Sequence, residues 1–212
     1  MTIPTANDYR NIYCVGRNYR LHAAELGNAV PESPMIFSKP THAVVPMDGQ
    51  EILLPGGQGE IHYEAELVWI AGRQYEPGMA PHELYTHFTV GLDLTLRDVQ
   101  DGLKAKGYPW LAAKGFRHAA PLGRWLRYEP AAELRGDIFA MRLNGVEVQR
   151  GDAADMVFGL AELTAHVGGI YGIGPGDLLF TGTPAGVGKL AGGDSAELLW
   201  RGESVGAATF RV

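Results

Sequence analysis

A single cysteine, Cys14, occurs in 212 residues, so the chain can close no internal disulfide. Its stability has to come from packing, which suits a reducing cytosol. Basic residues are in deficit: 18 Lys and Arg against 24 Asp and Glu give a formal net charge of −6. A broad nucleic-acid or anionic-membrane surface is therefore not expected, although a local positive site for an acidic small molecule stays open. No apolar run approaches the roughly 20 residues that a membrane-spanning helix needs. Residues 1–8 lack a basic stretch leading into an apolar one, the pattern of a signal peptide. These absences lead to the expectation of a cytoplasmic protein with neither membrane nor nucleic acid as partner. Repeats and linker-like segments are missing too, and the length suits one domain. It is read as 1–212, with 1–10 as a short N-terminal extension.

What the chain has is strands and turns. Its 29 glycines and 13 prolines are spread along it without low complexity, so turns are frequent. Strand-like runs outnumber helical ones and do not alternate regularly with them, which predicts a strand-rich α+β fold over a doubly wound α/β one. Asn144-Gly145 between two apolar runs predicts a hairpin. A helix is expected near 154–167, with Met156, Leu160, Leu163 and Val167 as core packing at helical spacing. The tail from Asp194 to Val212 alternates and reads as edge strands. Cys14 lies in an apolar run and reads as a small core residue.

The most informative stretch is His62-Tyr63-Glu64-Ala65-Glu66-Leu67-Val68-Trp69-Ile70, which reads as one strand. Alternate side chains share a face, so Glu64 and Glu66 point the same way as Val68 and Ile70. Both faces end apolar, which predicts burial on both sides. Two carboxylates on a face entering a core are costly unless a positive charge is shared between them. A divalent ion such as Mg2+, Mn2+ or Ca2+ suits such hard oxygen donors. An amphipathic strand with solvated glutamates fits the same residues equally well.

Other candidates are scattered along the chain. His22 and Glu25 are three apart in a segment, 17–27, that reads as a helix ended by Gly27. A carboxylate beside an imidazole orients it and raises its basicity, as a general base requires. An ordinary surface pair has the same spacing. Asp93 interrupts the apolar strand 89–96, a third acid in a segment that looks buried. The polar stretch that follows, with Lys104 and Lys106, has the makings of a mobile flap. Lys114, among small and apolar neighbours, is either a snorkelling surface residue or a partly buried cation. The loop 182–188 is rich in glycine but lacks the lysine and spacing of a phosphate-binding loop.

Taken together, several motifs carry a resemblance. They are Tyr13-Cys14-Val15-Gly16-Arg17-Asn18-Tyr19 with His22-x-x-Glu25, Phe37-Ser38-Lys39-Pro40, and His62-Tyr63-Glu64-Ala65-Glu66-Leu67. Further on come Gly91 to Gln100, Ala113-Lys114-Gly115-Phe116, Gly176-Asp177, and Leu179 to Gly188. In order and spacing they resemble the fumarylacetoacetate hydrolase family, in its short acylpyruvase and fumarylpyruvate hydrolase-like branch. The resemblance implies a mixed β-sandwich roll, a homodimer, and a divalent ion on Glu64, Glu66 and Asp93. It leaves His62 off the metal, in a supporting or packing role. Two departures point away from the longer enzymes. Only about ten residues precede the first motif, and Cys14-Val15 stand where those enzymes carry an aspartate ligand.

The activity implied is hydrolysis of a carbon–carbon bond in a 2,4-dioxo acid, giving pyruvate and a carboxylic acid. In that scheme His22, oriented by Glu25, takes a proton from water, and Lys114 stabilises charge or supplies a proton. Arg97, Gln100 and Thr183 hold the substrate's carboxylate and oxo groups, with Arg17 and Lys39 as secondary candidates. Isomerisation or decarboxylation of related 2-oxo acids is the alternative on the same metal site. A non-enzymatic binding module would be expected to have lost His22, Glu25 or Lys114, and all three are present.

Overall fold

In the computed structural model, residues 5, 8–25, 27, 29–129, 136 and 138–212 are described. Leu26, near the end of the first predicted helix, and most of the 1–10 extension lie outside them. In chain order the strands are β1 (Ile12–Gly16), β2 (Met35–Lys39), β3 (Val44–Pro46), β4 (Asp48–Leu53), β5 (Ile61–Tyr63), β6 (Ala65–Ala71), β7 (Tyr85–Leu92) and β8 (Thr95–Leu96). Then follow β9 (Ala120–Leu122), β10 (Leu126–Arg127), β11 (Ile138–Leu143), β12 (Val146–Asp152), β13 (Leu178–Phe180), β14 (Gly188–Leu190), β15 (Ser195–Trp200) and β16 (Glu203–Arg211). The helices are α1 (Arg20–Glu25), α2 (Pro81–Leu84), α3 (Arg97–Lys106), α4 (Leu111–Lys114) and α5 (Leu160–Ile170). None is long and apolar enough to cross a membrane.

The strands form a mixed sheet in the order β2-β1-β13-β6-β7-β9-β3, a second in the order β12-β11-β15-β16-β4, and a small one, β14-β5-β8. Strand β6 lies inside the first sheet and every one of its residues is buried, hence its apolar character on both faces. The two large sheets meet around aromatic side chains: Phe88 of β7 packs edge-on against Trp200 of β15, and Trp69 of β6 stacks on Phe88. Trp69, Phe139, Phe180 and Phe210 are fully buried, each contributing roughly 1.5–3 kcal/mol or more of apolar burial. The strand-rich α+β expectation is thus met.

Several local expectations are corrected. The strand predicted over 62–70 is two strands, β5 and β6, broken at Glu64. The chain changes sheet there, β5 pairing with β14 and β8 while β6 pairs with β7 and β13. The run 89–96 breaks at Asp93 for the same reason, and the Asp93 N–H donates to the Glu64 carbonyl at 2.8 Å. The supposed flap after it is the regular helix α3, stopped by Gly107 in the left-handed region at φ 66°. The helix expected near 154–167 starts later, at Leu160. Asp152 caps a single turn at Ala153–Asp155, and Met156 instead bridges to Tyr19. Finally, β15 and β16 are interior strands, flanked by β11 and β4. Local alternation cannot reveal partners that come from distant parts of the chain. The Asn144-Gly145 hairpin joins β11 and β12 as expected, both residues at positive φ (51° and 82°).

Candidate metal centre

The two strand breaks set the site. Glu64 and Asp93 sit where β5 gives way to β6 and β7 to β8, and Glu66 is the second residue of β6. One carboxylate oxygen from each lies within 4.8 Å of the others, and all three side chains are buried. Three like charges this close in an apolar surround need compensation. Lys114 Nζ, 2% exposed, donates to Glu64 at 2.8 Å and to Asp93 at 2.6 Å, with its ammonium 5.0 Å from the centre of the Phe37 ring. Lys39 Nζ lies 2.7 Å from Asp93 Oδ1 and donates to the carbonyls of Leu94 and Lys114. Arg97 donates to Glu64 at 2.5 Å and to the Gln100 side chain at 2.7 Å.

Glu66 is treated differently. Its hydrogen bond comes from the backbone N–H of Gly182, at 2.8 Å, and among the described residues no cation pairs with it. Burial, and after it the charges of Asp93 and Glu64, push its carboxyl well above the usual carboxylate range. Burial acts on Glu64 in the same sense, but Lys114 and Arg97 outweigh it and hold that group below its ordinary value. For Lys114 the order is reversed: burial opposes the charge, and Asp93 and Glu64 more than restore it. Asp93 Oδ1 is buried and, although close to Lys39, makes no aligned hydrogen bond. A buried carboxylate with no cation of its own, in an all-oxygen donor set, fits a divalent cation such as Mg2+ or Mn2+.

The same cavity, about 30 Å3, is lined by every candidate named from the sequence except Lys39 and Glu25, together with Met35, Phe37, Lys104 and Trp110. Glu25 stands behind His22, its Oε2 3.6 Å from His22 Nδ1. Its carboxylate is also held by the Gly186 N–H at 3.2 Å. Burial, only partly offset by Glu64 and Glu25, lowers the His22 pKa and so favours the uncharged imidazole. A buried neutral imidazole beside a carboxylate can accept a proton inside the cavity.

Some candidates are engaged with the protein itself. Lys39 is a buried ion-pair partner of Asp93. The Thr183 hydroxyl donates to the Ala65 carbonyl at 2.9 Å and accepts from Gln149 at 2.8 Å. His62 faces Glu60 and Arg97 and is no part of the acidic cluster.

Sequence reasoning missed four contributors. Gln149, buried on β12, accepts from the Ala65 N–H at 2.8 Å and donates to Thr183 and the Pro184 carbonyl. Asn18, fully buried, ties the β1–α1 corner to Phe158 and Thr181. Gly182 and Gly186, at φ 94° and 98°, present their N–H groups to Glu66 and Glu25. Only the glycines left a local signal, as a loop with no assigned task.

A sequence profile described as "Fumarylacetoacetate (FAA) hydrolase C-terminal" matches residues 11–212. The chain is 37% identical to the oxaloacetate tautomerase YcgM of Escherichia coli (strain K12), over 92% of this chain and 90% of that one. It is 35% identical to the mitochondrial oxaloacetate tautomerase FAHD1 of Rattus norvegicus, over 89% and 86%. Among solved structures, the fumarylpyruvate hydrolase of Pseudomonas aeruginosa in complex with Mn2+ and pyruvate superposes with a TM-score of 0.90 at 32% identity, covering 100% of this chain and 92% of that one.

Proposed function

The chain belongs to the fumarylacetoacetate hydrolase family, and from that premise we propose that it is a divalent-metal-dependent enzyme of small 2-oxo acids, acting first as a keto–enol tautomerase of an oxaloacetate-like acid. The observation that carries this reading is the buried cluster Glu64, Glu66 and Asp93 opening on the same cavity as His22. Similarity to two oxaloacetate tautomerases supports tautomerisation over the carbon–carbon hydrolysis first expected. Glu64, Glu66 and Asp93 would hold Mg2+ or Mn2+ (Ca2+ also suits the donors), which when bound supplies Lewis acidity toward the 2-oxo and carboxylate oxygens. His22 takes a proton from C3, Glu25 steadies the imidazolium that results, and the imidazolium returns that proton to the 2-oxygen as the enol forms, leaving the base neutral again. Lys114 places positive charge where the enolate oxygen develops its negative charge. Arg97, hydrogen-bonded to Gln100, holds Glu64 in position and presents its guanidinium to the substrate carboxylate.

A second reading, acylpyruvate hydrolysis, is favoured by the likeness to the fumarylpyruvate hydrolase. There His22 would take its proton from a water. The hydroxide would attack the distal carbonyl, and the carbon–carbon bond would break to a carboxylic acid and a pyruvate enolate that is then protonated. Both readings carry a homodimer with them, which light scattering checks as twice the chain mass. The deciding assay supplies Mg2+ or Mn2+ with enol-oxaloacetate, acetylpyruvate and fumarylpyruvate. Accelerated loss of the enol absorbance without CO2 or free acid is the expected result. Pyruvate plus a free acid would put hydrolysis first, pyruvate plus CO2 would mean decarboxylation, and no turnover of any of the three sinks the proposal.

A further inference from the structure

Two of the cations lining the cavity are not claimed by its carboxylates. Lys114 and Arg97 are committed to Glu64 and Asp93. Arg17 makes no ion pair among the described residues, and Lys104 reaches only Asp101, a mostly exposed side chain 3.6 Å away. Arg17 follows β1 directly and holds φ at 58°, a left-handed conformation that is costly for a residue with a side chain and that tends to mark functional positions. Lys104 approaches from α3, its ammonium 5.7 Å from the centre of the Trp110 ring. Burial lowers the Lys104 pKa against the pull of Asp101, and the charges of Arg97 and Arg17 lower it further. Like charges are thus gathered over a cavity whose only acids are already neutralised or sit in the metal cluster. Unmatched positive potential of this kind attracts and orients an anion.

The cavity, about 30 Å3, has room for little more than a water with the side chains as they stand. A four-carbon acid therefore enters only as long side chains draw back, and Arg17 and Lys104 are long, flexible and charged. Resting on the reading above, which puts the 2-oxo-carboxylate end against the acidic cluster, we propose that Arg17 and Lys104 grip the far carboxylate of the substrate. The enzyme then selects dicarboxylic 2-oxo acids over monocarboxylic acylpyruvates of the same length.

The test titrates the Mg2+-loaded protein with malate and with lactate, unreactive acids that differ in the distal carboxylate, following binding by calorimetry. The parent is expected to bind malate at least tenfold more tightly. K104M and R17G should each cut that ratio by about tenfold, the order of effect of losing a charged hydrogen bond, while K104R keeps most of it. R17G also relieves the strained backbone, so its loss of selectivity should come without loss of thermal stability. Equal binding of malate and lactate by the parent overturns the inference, and so does a ratio that survives in both R17G and K104M. A kcat/KM favouring an apolar acylpyruvate over fumarylpyruvate overturns it too, placing the far end in the apolar cleft beside Met35 and Trp110. A parent that keeps its malate preference but turns over no 2-oxo acid sinks the proposed activity and leaves the carboxylate site standing.

Discussion

At the residue scale the proposed reaction calls for a neutral His22 and a charged Glu66, and burial favours the first while opposing the second. For His22 the sign is plain: a base works unprotonated, and a lowered pKa keeps it so to more acidic pH. The acidic limb of kcat/KM is therefore expected below about 6.5, the ordinary imidazole value. A folded-state pKa below the unfolded one also means that the stability His22 contributes is lost as pH falls through that window. A limb at or above 6.5 in the parent would contradict the assignment. If the same limb persists in the residual activity of H22Q, it belongs to proton competition at the carboxylates instead. Glu64, Glu66 and Asp93 stood out before any fold was known as acids in apolar strands, but it was the family resemblance that favoured a shared buried site over a solvated face. Gln149 was not, since one amide in an alternating strand looks solvated until its partners Ala65 and Thr183 are brought to it.

At the scale of elements, the loop between β13 and β14 does more than connect them. Its two left-handed glycines hold Glu66 at one end and Glu25 at the other, so one carboxylate of the acidic cluster and the carboxylate behind His22 rest on the same short segment. A Cβ added at Gly182 would lie 2.7 Å from the Asn18 Cβ, at a φ of 94° that strains any side chain. We expect G182A to lose about 1–3 kcal/mol of stability, seen in urea denaturation, and to bind Mn2+ at least tenfold more weakly as Glu66 shifts. Unaltered Mn2+ affinity would show that the Gly182 N–H is dispensable. Strand identity was readable from alternation along 62–70 and 89–96, but the breaks at Glu64 and Asp93 were not. They arise because the chain changes sheet, and the partners of β5 and β8 are fixed by the whole fold.

At the scale of the whole molecule, an ion that binds only the folded chain adds to its stability by mass action. At a hundredfold excess over Kd this amounts to about 2.7 kcal/mol. For a chain of this size that raises Tm by roughly 5–10 °C. Saturating Mn2+ should give that rise over EDTA in the parent and little of it in E66Q. Equal melting temperatures in Mn2+ and EDTA would tell against the acidic cluster as a metal site. Lys114, bridging Glu64 and Asp93, also bears on how the fold tolerates its buried acids. With Lys39 and Arg97 it lets two of the three buried acids be neutralised by the chain's own cations. A chain compensated in this way is expected to fold without any added ion, and a native circular dichroism spectrum in EDTA checks it.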